Sequence, residues 1–470
     1  MKNIRLFCLL LCLIAVLQLG VPCVSATDAS VTGGSHSVDA AKPLMTNEKL
    51  LETAKAVFLF ERNSDTLVYA YNADQIIDPA GMPKLMTALI AVEKGNLSDT
   101  VTVTKKAIES IGIGTVVAGL VKGEELTLEQ LLYLMMVKSA NDAAAVIAEH
   151  IAGSQQDFVD MMNDRAQEMG CTDTVFTNAT GLPDEASGTT ARDLCRILNI
   201  ALDNELFRAL FTAKTYTVPA TNKSEEREVT TSNLMALEKN KKYYDERVTG
   251  GKTGATKDGR CLTFTAEGSG MELIGIVMGA VPTYEVENII IKTYGSFEES
   301  KVLLDHALSQ FEYRQIFYPE QAVSQHPVAD GATDVILSPD RKMSAVLPVD
   351  LDPAQLSWVY GSVASNIQAP VKAGEVLSNL QVWYQDTCVA QTDLVAMYDV
   401  PVWQAQNNVN NGSNTTDNGD SSVVMTVIWV VLGGLAGILV ILGAVNAIRK
   451  AVIKSRRKRR RREQRRRYNA

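Results

Sequence analysis

A long, uncharged apolar segment near the C-terminus restricts the environment that this part of the chain can occupy. Residues 423–445 read VVMTVIWVVLGGLAGILVILGAV and contain no Asp, Glu, Lys or Arg over 23 positions. Within a bilayer the backbone polar groups need partners inside the segment itself, and a helix of about 20 apolar residues provides them at the necessary length. We therefore predict one transmembrane helix over residues 423–447, with the folded part of the chain before it.

The segment after this predicted helix indicates its orientation. From Arg449 to the C-terminus the chain carries 13 Lys or Arg residues and one acid, Glu463. Positive charge beside a membrane span is retained in the cytoplasm, so residues 448–470 are predicted to be a basic cytoplasmic tail and the large N-terminal part to be extracytoplasmic. The basic run is typical of a stop-transfer signal or of a contact with anionic lipids. Its position beside a span argues against a nucleic-acid partner.

The N-terminus has the composition of a secretory signal peptide. Lys2 and Arg5 precede the apolar run LFCLLLCLIAVL, and Val24-Ser25-Ala26 supplies small residues for cleavage. Residues 1–26 are therefore predicted to be a signal peptide. The next segment, residues 27–47, is small, polar and aperiodic, which predicts a flexible lead-in.

Cysteine usage predicts no metal site. Outside the predicted signal peptide the cysteines are far apart and form no C-x-x-C pair; they are Cys171, Cys195, Cys261 and Cys388. A structural zinc site needs closely spaced thiolates, so no such metal site is expected. No other cofactor is expected either. Disulfides are compatible with an extracytoplasmic location, but this spacing does not require them.

The hydrophobic pattern changes once between residues 48 and 400. Up to residue 311, β-rich runs alternate with helical periodicity: a hairpin around Asn63-Ser64-Asp65, a helix from Pro83 to Lys94, a helix capped by Thr127, and strand-turn-strand over 248–282. From 312 to 400 short β runs are separated by Asp, Pro and Gly turns, which predicts a small β-sandwich. The polar segment 401–422 is predicted to be a disordered stalk.

Three groups of residues could carry chemistry. They are Lys84 at a helix start, Ser139 and Asn141 within KSAN, and Lys252-Thr253-Gly254 within GGKTGAT. No histidine lies beside a candidate nucleophile, and the H-E-x-x-H, G-x-S-x-G and phosphate-loop motifs are absent where they would have meaning. Taken singly, each group could be an ordinary helix lysine, a loop cap or a solvated strand residue. Their order, wide spacing and local structure are far more specific together.

In these motifs the chain resembles the serine-type D-alanyl-D-alanine carboxypeptidases, the low-molecular-mass penicillin-binding proteins. The segments TVFTNATGLPDEASGTTARDL, TTSNLM with Asn233, and VKAGEVLSNLQVWYQDTCVAQTDLVAMYDV are also similar to that family. The resemblance covers about residues 48–400. It implies the α+β fold class, with a transpeptidase/β-lactamase-like domain at 48–311, in which an antiparallel sheet has helices on both sides, and a C-terminal β domain at 312–400. It implies peptidoglycan stem peptides as partners, and β-lactams as non-covalent ligands.

The resemblance also implies a role for each motif residue. In an S-x-x-K enzyme the serine attacks a carbonyl carbon, and the lysine on the same helix face takes its proton; Lys84 matches that lysine. Ser139 and Asn141 would relay the proton and position the substrate amide. Lys252, with Thr253 and Gly254, would bind the terminal carboxylate and pair with the substrate backbone.

Gly81 is the departure from this pattern. It occupies the position of the nucleophilic serine, three residues before Lys84, and it has no side chain that could form an acyl-enzyme. In a serine protease the loss of the nucleophile costs roughly 10⁶ in kcat. Ser139 could replace it only if its hydroxyl reached a carbonyl carbon that is placed for attack by another residue. Small misplacements of reacting atoms lower the reaction rate by orders of magnitude.

Two functional hypotheses follow from the sequence. The first is a membrane-anchored, extracytoplasmic member of this family that acts on peptidoglycan stem peptides but has lost, or nearly lost, acyl-serine catalysis. The second is a non-catalytic binding or scaffold protein that keeps the pocket. A β-lactamase fits less well, because it does not account for the stalk, the membrane span and the β domain.

Overall fold

The computed structural model describes residues 38, 42–45, 50–257, 259–284 and 291–404. The predicted signal peptide, transmembrane helix and basic tail lie outside these residues, as does nearly all of the predicted stalk. Among the residues that are described, no helix has the length and apolar character that crossing a membrane requires.

The N-terminal domain alternates strands and helices. Its described strands are β1 (Ala56–Glu61), β2 (Thr66–Tyr71), β3 (Thr100–Thr102), β4 (Glu125–Thr127), β5 (Thr215–Val218), β6 (Arg227–Thr230), β7 (Val248–Thr256), β8 (Gly259–Gly268), β9 (Met271–Ala280), β10 (Thr283–Tyr284) and β11 (Ile291–Thr293). Its described helices are α1 (Pro83–Lys94), α2 (Lys105–Glu109), α3 (Leu128–Val137), α4 (Asn141–Ala152), α5 (Gln155–Glu168), α6 (Ala191–Ala201), α7 (Glu205–Thr212) and α8 (Gly295–Gln310).

Five of these strands form the central antiparallel sheet, in the order β2-β1-β9-β8-β7. The first two are the predicted hairpin, and Asp65 in its turn adopts φ 51°, a conformation that Asp tolerates in turns. The chain then leaves the sheet for the helices α1 to α7 and returns as β7, β8 and β9. Because β9 pairs with β1 and β8 pairs with β9, strand β7 lies at an edge of the sheet, with β8 as its one sheet neighbour.

Helices cover both faces of this sheet, as predicted. Successive residues of β1 point to opposite faces: Phe58 and Phe60 join the core beneath helices α1 to α7, and Val57 and Leu59 join the core beneath α8. Helix α6 packs on β1 and β9 from one side, and α8 packs on β8 and β9 from the other. Burial on both faces explains the uninterrupted apolar run AVFLF in β1.

Helix boundaries follow local signals in the sequence. Helix α1 starts at Pro83, where the missing N–H has no intrahelical partner to lose, and Gly95 caps its end by donating to the carbonyl of Ala91 at 2.9 Å. Helix α3 begins after Thr127, which forms a reciprocal capping box with Gln130. Helix α3 thus ends just before the K-S-A-N segment and positions it.

The C-terminal domain is built of strands alone, apart from one short 3₁₀ turn at Pro353–Gln355. Its described strands are β12 (Phe311–Phe317), β13 (Ser324–His326), β14 (Val328–Ala329), β15 (Val335–Pro339), β16 (Met343–Pro348), β17 (Leu356–Tyr360), β18 (Ile367–Gln368), β19 (Val376–Tyr384) and β20 (Thr387–Ala396). A five-stranded sheet, β13-β15-β20-β19-β17, faces the β12-β16 pair across a separate apolar core. The predicted small β-sandwich is confirmed.

The lead-in that we expected to be flexible over residues 27–47 is held in place where it is described. The backbone N–H groups of Leu44 and Met45 donate to the carbonyls of Leu67 and Val68 at 3.0 and 2.9 Å. Met45 is only 4 % exposed, and Leu44 packs against the cores of both domains. The segment lies along the outer edge of β2, where unpaired backbone groups are available for hydrogen bonding.

The predicted stalk also starts later than residue 401. Trp403 donates its backbone N–H to the carbonyl of Asp330 at 2.7 Å, and the carbonyl of Pro401 accepts from Ala332 at 2.9 Å. These bonds join residues 401–403 to the C-terminal domain.

We expect Thr127→Ala to lower the free energy of unfolding by about 1 kcal/mol, because it removes the hydroxyl that caps α3. Urea denaturation followed by circular dichroism measures the change. Thr127→Ser, which keeps the hydroxyl, is the matched control and should stay near the parent. Equal stability of all three proteins would show that the capping box contributes nothing.

Candidate functional site

The start of helix α1 forms one side of the candidate site. Ala80 adopts φ 52°, a left-handed conformation that is uncommon for alanine, and its backbone N–H donates to Oδ1 of Asp78 at 2.8 Å. The N–H of Met82 donates to the carbonyl of Pro79 at 3.0 Å. This tight turn brings the backbone of Gly81 close to strand β7 immediately before the helix begins.

Lys84 lies in the first turn of α1 and is 2 % exposed. Its Nζ donates to the carbonyl oxygen of Thr180. Burial, together with the nearby amine of Lys252, holds the pKa of Lys84 well below its usual range. The neutral amine is thereby favoured.

The loop that carries Thr180 is itself fixed by one side chain. Oδ1 of Asn178 accepts from the backbone N–H groups of Thr180, Gly181 and Leu182 at 3.1, 2.7 and 3.1 Å. Gly181 has φ 73°, and a Cβ there would lie 1.9 Å from the carbonyl oxygen of Ala80. Glycine is therefore required where this loop passes the start of α1.

Ser139 lies in the short link between α3 and α4, and Asn141 begins α4. Ser139 adopts φ 67° and is half-buried, and Asn141 is the first residue of α4 and is 6 % exposed. The backbone N–H of Asn141 donates to the carbonyl of Val116 at 2.8 Å. The left-handed residue turns the chain sharply, so that two helices meet at this link.

Lys252 connects this link to the sheet. It lies on β7, is 1 % exposed, and donates from Nζ to Oγ of Ser139 at 2.7 Å and to the carbonyl of Thr253 at 3.3 Å. Burial lowers the pKa of Lys252 to about 7. Near neutral pH this amine therefore exists in both protonation states.

Gly81 faces both the strand and the serine. A Cβ built at Gly81 would lie 3.1 Å from the carbonyl oxygen of Thr253, 3.6 Å from Cα of Gly254 and 3.8 Å from Oγ of Ser139. A Cβ at Gly254 would lie only 2.6 Å from the backbone nitrogen of Gly81. The three groups of residues singled out in the sequence, together with Gly81, are thus brought to one cleft.

The structure adds residues to the site that the motifs did not single out. Ser232 lies with its Oγ 2.5 Å from Oγ1 of Thr253, and the carbonyl of Thr180 is the partner of Lys84. Asn233, already noted in the segment TTSNLM, is fully buried against Gly251, and its Nδ2 has no hydrogen-bond partner among the described residues. The only sequence signal for these residues was their position in the segments FTNATGL and TTSNLM.

Comparison with known protein families agrees with this geometry. Residues 44–282 match the family model described as D-alanyl-D-alanine carboxypeptidase, and residues 311–402 match the C-terminal domain of penicillin-binding protein 5. This chain belongs to the D-alanyl-D-alanine carboxypeptidase family. That family acts in peptidoglycan metabolism.

Individual family members are similar over most of their length. The D-alanyl-D-alanine carboxypeptidase DacF of Bacillus subtilis is 30 % identical over 75 % of this chain and 87 % of its own length. DacC of Escherichia coli is 27 % identical over 74 % of this chain and 84 % of its own length. The solved structure of penicillin-binding protein 5 from Haemophilus influenzae superposes with a TM-score of 0.60 at 28 % identity, covering 74 % of this chain and 98 % of that one. The described domains therefore have the penicillin-binding-protein fold.

We expect Lys252→Met to change the pH dependence of stability. Because the pKa of Lys252 falls from 10.5 to about 7 on folding, unfolding between these values takes up a proton, and the parent protein gains stability as pH rises. Below about pH 7 both states are protonated and this dependence ends. In the variant this increase should be absent. The free energy of unfolding of parent and variant should then diverge by up to about 1.4 kcal/mol per pH unit between pH 7.5 and 10.

Urea unfolding at several pH values tests this expectation as the difference between parent and variant. Lys122→Met, at an exposed lysine, is the matched control and should follow the parent curve. Parallel curves for all three proteins would contradict a neutral, buried Lys252.

Proposed function

We propose that this protein binds peptidoglycan stem peptides ending in D-Ala-D-Ala in the cleft between α1, the α3–α4 link and β7, and that acyl-serine catalysis at position 81 is lost. The observation that carries the proposal is the contrast at Gly81. The surrounding lysines, Ser139 and the edge strand are in place, while the residue opposite Ser139 has no side chain.

The spacing around Gly81 supports its correspondence with the nucleophile position. In S-x-x-K enzymes the nucleophile precedes the lysine by three residues, as Gly81 precedes Lys84. The built Cβ of Gly81 points toward Ser139, which would have been the partner of a serine hydroxyl. Without that hydroxyl, no acyl-enzyme can form at this position.

The remaining groups suit recognition of a peptide carboxylate. Lys252 can be protonated near neutral pH, and the hydroxyls of Thr253 and Ser232 lie side by side next to it. A carboxylate would accept hydrogen bonds from these donors. Strand β7 lies at a sheet edge, so an extended peptide could pair with its free backbone groups.

The location of the protein is part of this proposal and is supported by the sequence alone. A signal peptide at 1–26, a membrane helix at 423–447 and a basic tail would place the cleft outside the cytoplasmic membrane, where peptidoglycan is found. Proteolysis of intact, wall-stripped cells should then remove the folded part and leave a membrane-bound C-terminal fragment.

A second candidate function is slow catalysis through Ser139. It is favoured by the 2.7 Å hydrogen bond between Nζ of Lys252 and Oγ of Ser139, because a neutral Lys252 could accept the serine proton. Gly81, which has no side chain, lies next to that hydroxyl. A covalent penicillin adduct on Ser139, located by mass spectrometry, would establish this function in place of pure binding.

The binding proposal is tested with a stem peptide ending in D-Ala-D-Ala and the full-length chain. We expect saturable binding by calorimetry, weakened about 10- to 100-fold by Lys252→Ala, since a charge-assisted hydrogen bond is lost. Affinity should fall as pH rises above about 7, because Lys252 then loses its proton. A peptide ending in a carboxamide is the control. Equal affinity for both peptides would rule out carboxylate recognition.

We expect Gly81→Ser to restore acylation by a fluorescent penicillin, with a rate gain of at least about 10³-fold over the parent. The added Cβ needs Thr253 to move by a few tenths of an ångström, which a sheet edge can accommodate. Gly81→Ala adds the same Cβ without a hydroxyl and should form no adduct. If the serine variant also stays unlabelled, Lys84 and its partners are no longer arranged for catalysis.

A further inference from the structure

The C-terminal domain contains a cavity of about 430 Å³ that is separate from the cleft. It is bordered by Ser324 and His326 of β13, by Tyr360 at the end of β17, and by Ser378 and Leu394 on the strands between them. Strands β13 and β17 are the two outermost strands of their sheet. The sheet therefore curves enough for both of its edges to line one cavity.

Tyr360 shows that this cavity opens into the inner side of the sandwich. Tyr360 lies opposite Leu380 in the antiparallel register of β17 and β19, and residues directly opposite each other point to the same face. Leu380 is fully buried in the core of the domain, whereas Tyr360 is 52 % exposed. An aromatic ring on the core-facing side is thus left uncovered at the sheet edge.

Trp358, two residues earlier, repeats this arrangement. It lies opposite the fully buried Val382 but is itself 37 % exposed. Its ring contacts Phe317 edge-on, with centroids 5.4 Å apart. Side chains two apart on a strand share a face, so Trp358 and Tyr360 form a short row of accessible aromatic rings.

The lining of the cavity indicates a neutral ligand. It contains no Asp, Glu, Lys or Arg among the described residues, and residues 353–371, which include β17, are also uncharged. Natural sheet edges are usually protected by charged residues, and this one is not. Its polar groups are serine hydroxyls and the imidazole of His326, set beside Val323 and Pro327.

We propose that this cavity binds an N-acetylated sugar of the peptidoglycan glycan strand. A sugar ring can place its C–H face on Tyr360, direct hydroxyl and amide groups to the serines and His326, and rest its acetyl methyl group on the apolar wall. A stem peptide fits less well, because its carboxylates would find no cation there. The choice of ligand rests on the proposed role at peptidoglycan, but the site shares no residue with the cleft.

The test uses a peptide-free N-acetylglucosamine tetramer and the full-length chain. We expect saturable binding by calorimetry with a change in tryptophan fluorescence, since Trp358 shares a face of β17 with Tyr360, which lines the cavity. Tyr360→Ala should weaken binding about ten-fold. Ala364→Trp, which places a bulky ring at an exposed position of the lining, should block the cavity without disturbing the core.

Tyr398→Ala, at a tyrosine that is 49 % exposed in the same domain and outside the lining, is the matched control and should bind as the parent does. Absence of tetramer binding would overturn the proposal, as would equal weakening by Tyr398→Ala. So would loss of stem-peptide binding on Tyr360→Ala, which would make this a peptide site.

These experiments test the two proposed sites independently of each other. Lys252→Ala should weaken stem-peptide binding and leave tetramer binding unchanged, whereas Tyr360→Ala should do the reverse. If the tetramer binds and the stem peptide does not, the sugar site stands and the proposed function of the cleft falls.

Discussion

The hydrogen bond from Lys252 to Ser139 joins the two halves of the N-terminal domain at the site. One partner lies on the edge strand of the sheet, and the other lies in the link between two helices. Burial lowers the pKa of both lysines, and the nearby amine of Lys252 lowers the pKa of Lys84 further. The arrangement is stable because the surrounding core is closely packed and the amines have oxygen partners.

The two glycines that meet in this cleft differ in what packing demands of them. A side chain at Gly254 would collide with the backbone of Gly81, so glycine is sterically necessary there. A side chain at Gly81 meets only one tight contact, at 3.1 Å, and the backbone there has no left-handed φ. Packing therefore does not explain the absence of a serine at position 81. Glycine at position 81 lacks the hydroxyl that an acyl-enzyme requires, and for this reason we propose binding without acyl transfer.

The proposed site in the C-terminal sandwich depends on side chains that are present and accessible, and not on a missing one. The core of the sandwich is closed, yet Trp358 and Tyr360 on the inner face of an edge strand remain accessible. The β12-β16 pair has two strands and the facing sheet has five, so the pair cannot cover the whole inner face of the larger sheet. A protein with a peptide cleft in one domain and a sugar cavity in the other could hold both components of peptidoglycan, with no covalent step at either place.

Local structure could be predicted where a few neighbouring residues decide it. The hairpin turn at 63–65, the limits of α1 at Pro83 and Gly95, and the cap at Thr127 each depend on contacts within about four residues. The end of the lead-in was missed because Leu44 and Met45 pair with β2 through backbone groups, and this short pairing requires no particular side chains. The motif residues lie together in one cleft, but their individual contacts were not predictable from the sequence.

The amino-acid sequence specifies which chemical groups are present: two lysines, a Ser-x-Asn segment, a K-T-G segment, and no side chain at Gly81. The partners of these groups depend on the fold: Lys84 donates to the carbonyl of Thr180, 96 positions away, and Lys252 donates to Ser139, 113 positions away. The fold also decided that both lysines are buried. Partners so distant in the chain are selected by the packing of the whole sheet and helix assembly, and desolvation depends on that packing and not on neighbouring residues.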